Sequence, residues 1–311
     1  MSDRRTNQYD RCHMVDFDRS KDDFVRLTPE EISRINRDPD SPFHIPPAAR
    51  EAYRNRNRDS PRLAYWVFNS GNVGRAFSPE YRACRDGSRH EAVHELVENY
   101  GELLKKYEGC VSKGGADGEV CGIIYVVART GQRIGSRDGT FAEEYRYEHA
   151  SGGRPKRVVT GRVSTYGIST LRVKHVKTDG DTVIFEFTGK AGQRQSQVIR
   201  NPVLADFFRQ LLRGKQPDEP VFTPRIYRSV YVKFKNDTGH ALKDLRTAMA
   251  HLLVPAAREE WIAKNGPPAT KAQERKMISH AVRSAAAVLG NKPAILKKSY
   301  ANPEDLKPRL E

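Results

Sequence analysis

The sequence predicts an α+β protein, with a small mixed α/β N-terminal domain and a larger, mainly helical domain that carries a three-stranded antiparallel sheet. Three observations predict this. Helical periodicity runs through much of the second half, in "VLADFFRQLLRG", "HALKDLRTAMAHLL" and "ATKAQERKMISHAVRSAAAVLG". From Ser169 to Ile199 the pattern is instead three β-rich runs separated by "TDGD" and "GKAG", both good hairpin chemistry. Ahead of these, Phe24 to about Asp86 is broken by prolines and aromatics, with "LAYWVF" reading as a buried strand.

In chain order, residues 1–24 are polar and charged enough for a flexible tail, 25–86 form the small domain and 87–311 the large one. The large domain opens on "HEAVHELVENYGELLKKY", where Val93, Leu96, Val97, Tyr100, Leu103, Leu104 and Tyr107 recur at the spacing of one long amphipathic helix. A Gly-rich loop follows, then "VCGIIYVVART", a buried helix with Arg129 at its end. In "SGGRPKRVVTGR", Arg154, Lys156, Arg157 and Arg162 cluster in what reads as a basic loop or arm. The turn "GKAG" puts Lys190 at a hairpin tip, and Gly214 stops the helix that begins after Pro202.

Composition narrows the function. The 311 residues are 37% hydrophobic and 30% charged, with a formal net charge of +15. Such an excess attracts a polyanion, and nucleic acid fits best, because neutralising phosphates releases condensed counterions. Cys12, Cys84, Cys110 and Cys121 show no C-x-x-C pair and no histidine at zinc-finger spacing, and are read as reduced structural thiols. The charged N-terminus does not resemble a signal peptide, and no apolar run approaches the roughly 20 residues of a membrane span. No phosphate-binding G-x-x-x-x-G-K-[ST] loop occurs, and the acidic pairs in "RDPDSP" and "TDGD" read as turns. Neither a cofactor nor a metal is expected, and no secretion.

Four short motifs precede the tyrosine of "LGNKPAILKKSY": "RTGQRIG" with Arg129, "TGKAG" with Lys190, "KDLRT" with Arg246, and "LGNKPA" with Asn291. Each alone is weak. In this order, on these elements, they resemble the catalytic set of the type IB DNA topoisomerases, in the compact poxvirus-like and bacterial branch. The resemblance runs from about Ile45 to Pro303 and is strongest in "ARTGQRIGS", in "YGISTLRVKHVKTDGDTVIFEFTGKAGQ" and in "LGNKPAILKKSYANP".

The resemblance implies a role for each matching residue. Tyr300 would attack a DNA phosphodiester, leaving a 3′-phosphotyrosyl bond and a 5′-hydroxyl strand. Arg129 and Arg246 would bind the nonbridging oxygens, a task that suits a planar, permanently charged fork. Lys190 would protonate the departing 5′-oxygen. Asn291 stands nine residues before the tyrosine, where poxvirus members hold a histidine, and can donate a hydrogen bond but carry no charge. Further contacts to DNA are expected from Lys243, Arg133, Arg154, Lys156, Arg157, Lys297 and Lys298. The partner implied is double-stranded DNA and the state a monomer, located in the cytoplasm or nucleoid, or in a virion.

Two features depart from the compact relatives. "VGRAFSP" replaces their DNA-contacting segment in the small domain, and the stretch between Gly135 and Tyr166 is longer, so the basic arm looks inserted. Tyrosine recombinases share the same chemistry but usually carry H-x-x-R where this chain has Lys243 three residues before Arg246. A noncatalytic DNA-binding protein is the third reading, and the intact arginine, lysine and tyrosine set argues against it.

Overall fold

The computed structural model describes residues 19–69, 71–135, 140–148 and 156–307, without the side chains of 86, 88–89, 145–148, 156–157 and 191. The chain divides at Ala92/Val93 into two compact units. That point lies within the helix Pro79–Glu98.

The first unit is one antiparallel sheet of β1 (Phe24–Arg26), β2 (Ala49–Asn55), β3 (Arg62–Phe68) and β4 (Val73–Phe77), in sequence order, with helix α1 (Pro29–Arg37). Thr28 and Glu31 cap α1 reciprocally: each side chain accepts from the other's backbone amide, at 3.3 and 2.8 Å. Ala52, Ala64 and Ala76 lie on one face of the sheet. Their small side chains let Phe43, Ile45, Ile32 and Ile35 close over it as a core. The strand expected in "LAYWVF" is β3, but only Ala64 of it is buried.

The described end of the expected tail is tied down. Asp22 pairs with Arg62 at 2.6 Å, and the buried Asn55 carboxamide donates to Asp22 and accepts from the Asp23 amide. A buried carboxylate and amide must find partners, and these two find each other across 33 residues of sequence. The rest of the expected tail lies outside the described residues.

Two helices replace the single long one: α2 (Pro79–Glu98) and α3 (Tyr100–Val111), separated at Asn99, whose backbone leaves helical geometry at φ −96° and ψ 13°. The apolar stripe still holds, since Val93, Leu96, Tyr100, Leu103 and Tyr107 are all buried. Helix α4 (Gly115–Thr130) returns antiparallel beside α3 and is buried almost throughout its last three turns. This hairpin brings Cys110 and Cys121 together as a disulfide, with Cα atoms 5.9 Å apart. The reading of the cysteines as reduced thiols is therefore corrected for this pair, whose separation along the chain hid their closeness across the two helices, and for Cys84, which is disulfide-bonded as well.

The segment expected to be an insertion forms strands where it is described. Strands β5 (Thr140–Glu148) and β6 (Lys156–Thr165) form a two-stranded antiparallel ribbon with a bulge at Glu144/Tyr145. Strands β7 (Val176–Asp179), β8 (Thr182–Thr188) and β9 (Arg194–Arg200) then make the expected three-stranded sheet. Its inward residues Val183, Phe185, Phe187 and Ile199 meet helix α5 (Pro202–Leu212), where Phe185 and Phe208 pack edge to face at 5.3 Å. Asn201 caps α5 ahead of Pro202, accepting from the Leu204 amide at 2.7 Å.

Helix α6 (Tyr227–Thr238), unread in the sequence, buries only Val230 and Phe234 along its own length. Helices α7 (Asp244–Asn265) and α8 (Lys271–Val288) pair along their length, and the short α9 (Pro293–Ser299) packs against α8. The fold is α+β, as expected.

Candidate active site

Arg246 anchors the site. It projects from the first turn of α7 and is only 5% exposed, so its charge has left water and must be met by protein dipoles. Its guanidinium donates to the Gly131 carbonyl, to the Leu289 carbonyl at 2.8 Å and to Asn291 Oδ1 at 3.0 Å. Among the described residues no carboxylate pairs with it. Burial, and then the nearby Arg133, lower its pKa to about 10, against the opposing pull of Tyr300. It therefore remains a cation at neutral pH. Two donors are left over: Arg246 Nε and Asn291 Nδ2 are buried with no hydrogen-bond partner. A buried cation beside unspent donors suits an incoming anion.

The chain reaches Arg246 again from α4. That helix ends at Gly131, in the left-handed conformation at φ 62°. A Cβ at Gly131 would fall 2.1 Å from Leu289 Cδ2, so only glycine allows the approach that puts its carbonyl on Arg246. Beyond it the backbone is extended and stitched to residues 167–169: the Ile168 amide donates to the Arg133 carbonyl at 3.0 Å and the Ser169 amide to Ile134 at 2.7 Å. This segment carries Gln132 and Arg133 into the cleft beside Arg246.

The same chain ending separates the two arginines of "RTGQRIG". Arg129 lies in the last helical turn, exposed, with its charge near the Tyr125 phenol one turn back. It does not line the cleft. Arg133, expected as a DNA contact, does. The helix stop at Gly131 thus sets the two arginines apart, Arg133 in the cleft and Arg129 at the end of α4.

Lys190 stands exposed in the turn between β8 and β9, closed by the Gly189 amide donating to the Gln193 carbonyl at 2.7 Å. Gln195, which the sequence reading passed over, is buried behind this turn and also against Gly290. A Cβ on Gly290 would sit 2.1 Å from Gln195 Oε1, and its φ of 59° is left-handed, so a glycine is required there too. Gln195 thereby joins the Lys190 turn to the loop holding Asn291.

Tyr300 caps the C-terminal end of α9, its amide donating to Leu296 at 3.0 Å. The segment "PAILKKS" is a helix started by Pro293, so the tyrosine closes a helix instead of riding a loop. Arg246 Cζ lies 5.4 Å from the Tyr300 ring centroid, and Tyr300 itself does not line the cleft. Lys297 and Lys298 are exposed on α9 and do not line the cleft.

Among the described residues the cleft, about 770 Å³, is lined by the cations Arg133, Lys190, Lys243, Arg246 and Lys292 and by one carboxylate, Glu143 from the ribbon. A second cavity of about 370 Å³ adjoins it and shares Arg133, Lys190, Arg246 and Lys292, adding Asn291 and Gln195. Lys292 was also missed in the sequence. Its signal was its place between Asn291 and the Pro293 that starts α9. Of the remaining expected contacts, Lys156 and Arg157 lie on β6 with undescribed side chains, and Arg154 lies outside the described residues.

Comparison with known proteins agrees with this geometry. The family model described as the catalytic core of eukaryotic DNA topoisomerase I matches residues 156–311. The DNA topoisomerase 1B of Acanthamoeba polyphaga mimivirus is 23% identical over 318 residues, covering 94% of this chain and 87% of its own. The DNA topoisomerase I of monkeypox virus is 28% identical over 138 residues, or 44% of this chain and 42% of its own. A solved complex of the site-specific recombinase XerH with its difH substrate covers 63% of this chain and 51% of its own, at 11% identity and a TM-score of 0.33, too slight a likeness to carry an argument. With half the chain matched by the family model, and that half holding Lys190, Arg246, Asn291 and Tyr300, the chain belongs to the type IB DNA topoisomerase family.

Proposed function

We propose that the protein relaxes supercoiled duplex DNA by cutting and resealing one strand through Tyr300. The observation that carries this reading is the contact of Tyr300 with a buried, carboxylate-free Arg246 at the edge of a cleft lined by five cations. The Tyr300 hydroxyl attacks a backbone phosphorus, giving up its proton to solvent. A bond forms between the phenolic oxygen and phosphorus, and the bond from phosphorus to the 5′-oxygen breaks.

Charge accumulates on the nonbridging oxygens as the phosphorus becomes five-coordinate. Arg246 and Arg133 meet it with guanidinium donors, and Asn291 with the Nδ2 that has no partner. Arg129, to which the sequence resemblance gives the same task, acts beside them from the end of α4. Lys190 donates a proton to the 5′-oxygen, whose alkoxide would otherwise be too basic to leave. An arginine could not serve there, since it does not surrender its proton.

The phosphotyrosine conserves the energy of the broken bond. Resealing therefore needs no nucleotide: the 5′-hydroxyl attacks, Lys190 takes its proton back, and Tyr300 departs. While the strand is open the downstream duplex turns and loses supercoils. Electrostatic stabilisation comes from side-chain cations, so the scheme calls for no metal. No helix among the described residues is long and apolar enough to cross a membrane. A monomer acting on chromosomal or viral DNA fits this reading.

Denaturant trapping on a substrate whose cut strand ends shortly after the scissile bond is the test. The wild type is expected to give a protein–DNA adduct attached through Tyr300 to a 3′-phosphate, and Tyr300→Phe none. An adduct formed by Tyr300→Phe, or one attached to a 5′ end, would sink the scheme.

A further inference from the structure

The reaction leaves the ribbon β5–β6 without a part, although it packs on the element that carries Lys190. The turn Gly189–Gln193 is short, and its lysine has a long, flexible side chain. A general acid must hold its proton within hydrogen-bond reach of the leaving oxygen, so the backbone beneath it has to be fixed. Strands β8 and β9 fix the two ends of the turn. Gln195 fills its inner flank.

Both ribbon strands pack against the remaining side of the turn. Ala142 Cβ and Val163 Cγ1 are the atoms that face Gly192: a methyl group built there would lie 3.8 Å from each, so the two side chains stand one methyl's width from the glycine. The ribbon is itself anchored where it meets the sheet. Thr140 Oγ1 donates to the Thr165 carbonyl at 2.9 Å, and the Tyr166 amide to the Thr188 carbonyl at 2.8 Å, two residues before Lys190. Ala142 pairs with Val163 across the ribbon, so the two form one apolar pad on the face turned to Gly192.

We infer that Ala142 and Val163 are positioning residues for catalysis: the ribbon pad braces the Lys190 turn in the pose from which the ammonium reaches the 5′-oxygen. This rests on the reading of Lys190 as the proton donor. The inserted ribbon then serves the chemistry of strand departure, beyond any phosphate contact its cations make.

The test is single-turnover cleavage by the full chain on two matched substrates, one with the ordinary 5′-bridging oxygen and one with sulfur there. A thiolate leaves without protonation. Val163→Ala, and that change combined with Ala142→Gly, are measured beside Lys190→Ala. The expected result is cleavage slowed by about tenfold or more on the oxygen substrate, within the range a general acid supplies, with the sulfur substrate and DNA affinity little changed.

Equal losses on both substrates in the milder Val163→Ala, or no loss in either variant, would overturn the inference. So would a fall in DNA affinity alone, which would make the ribbon a grip and no brace. If Lys190→Ala itself slows both substrates equally, the proton-donor reading fails first and the inference falls with it. If Lys190→Ala discriminates and the ribbon variants do not, only the inference fails.

Discussion

Arg246 shows how one residue serves both fold and chemistry. Its guanidinium gathers the carbonyls of Gly131 and Leu289 and the Asn291 side chain, thereby joining the end of α4, the end of α8 and the start of the α9 loop. Removing it strands those acceptors without a donor, at about 1–3 kcal/mol for each buried group left unsatisfied. Arg246→Ala is therefore expected to lose both cleavage and thermal stability. Arg133 makes no such structural bond with its side chain in the site, so Arg133→Ala should slow single-turnover cleavage by about a hundredfold while leaving the melting temperature nearly unchanged. Arg129→Ala, at the position the resemblance assigns to the same oxygens, should slow the same assay by a comparable factor.

This last pair also marks what the sequence could reveal about residues. Lys190 and Arg246 were legible, the first from hairpin turn chemistry and the second from its motif on a helix. Which of Arg129 and Arg133 lines the cleft turned on where α4 ends. Gly131, a helix-stopping residue between them, was the available signal, because an arginine before the stop faces back along the helix and one after it goes with the outgoing strand. Gln195 could not have been found, since its role depends on two loops that meet only in three dimensions.

At the scale of elements, the sheet β7–β8–β9 and helices α4, α5, α7 and α8 followed from periodicity and turn residues. The ribbon did not, because its Gly- and Arg-rich middle masks the alternation that would have declared it a strand pair. The break between α2 and α3 keeps the apolar stripe in phase, so periodicity alone could not show it. Disulfide pairing of Cys110 with Cys121 depends on the α3–α4 hairpin, which the sequence shows only as two helices and a loop. Both thiols are expected to resist alkylation in the unfolded chain unless it is first reduced, as mass spectrometry of modified peptides would show.

The segment before β7 carries a pH-dependent element as well. His175 lies beside Tyr166, with ring centroids 4.3 Å apart, and its Nδ1 accepts from the Arg172 amide at 3.0 Å. Burial foremost, then Lys174 and Arg172, push its pKa from 6.5 down to about 4. Between those values the unfolded chain binds a proton that the folded chain refuses, so this stabilisation is complete above pH 6.5 and is lost as the pH falls toward 4. Urea midpoints should fall across that window for the wild type. His175→Asn, whose Oδ1 can still accept from the Arg172 amide, should show a flatter profile; equal slopes would refute the assignment.

For the whole molecule, a formal charge of +15 and a cleft lined by five cations give the protein a long-range attraction for DNA. If those five cations each neutralise one phosphate, the logarithm of affinity should fall with the logarithm of salt at a slope of about −4 or steeper. A shallow slope would mean that the cleft is not where the duplex lies. Binding strength and strand cutting are separable, since the cations that attract the duplex outnumber those that touch the reacting phosphate.

The central claim is that Tyr300 opens and reseals one strand with neither metal nor nucleotide. Relaxation of supercoiled plasmid in EDTA without ATP, by wild type and Tyr300→Phe side by side, tests it most directly. The account predicts that the wild type removes both positive and negative supercoils and that Tyr300→Phe binds the plasmid but leaves it supercoiled. Relaxation by Tyr300→Phe, or a wild type that acts only when a divalent cation is restored, would contradict it.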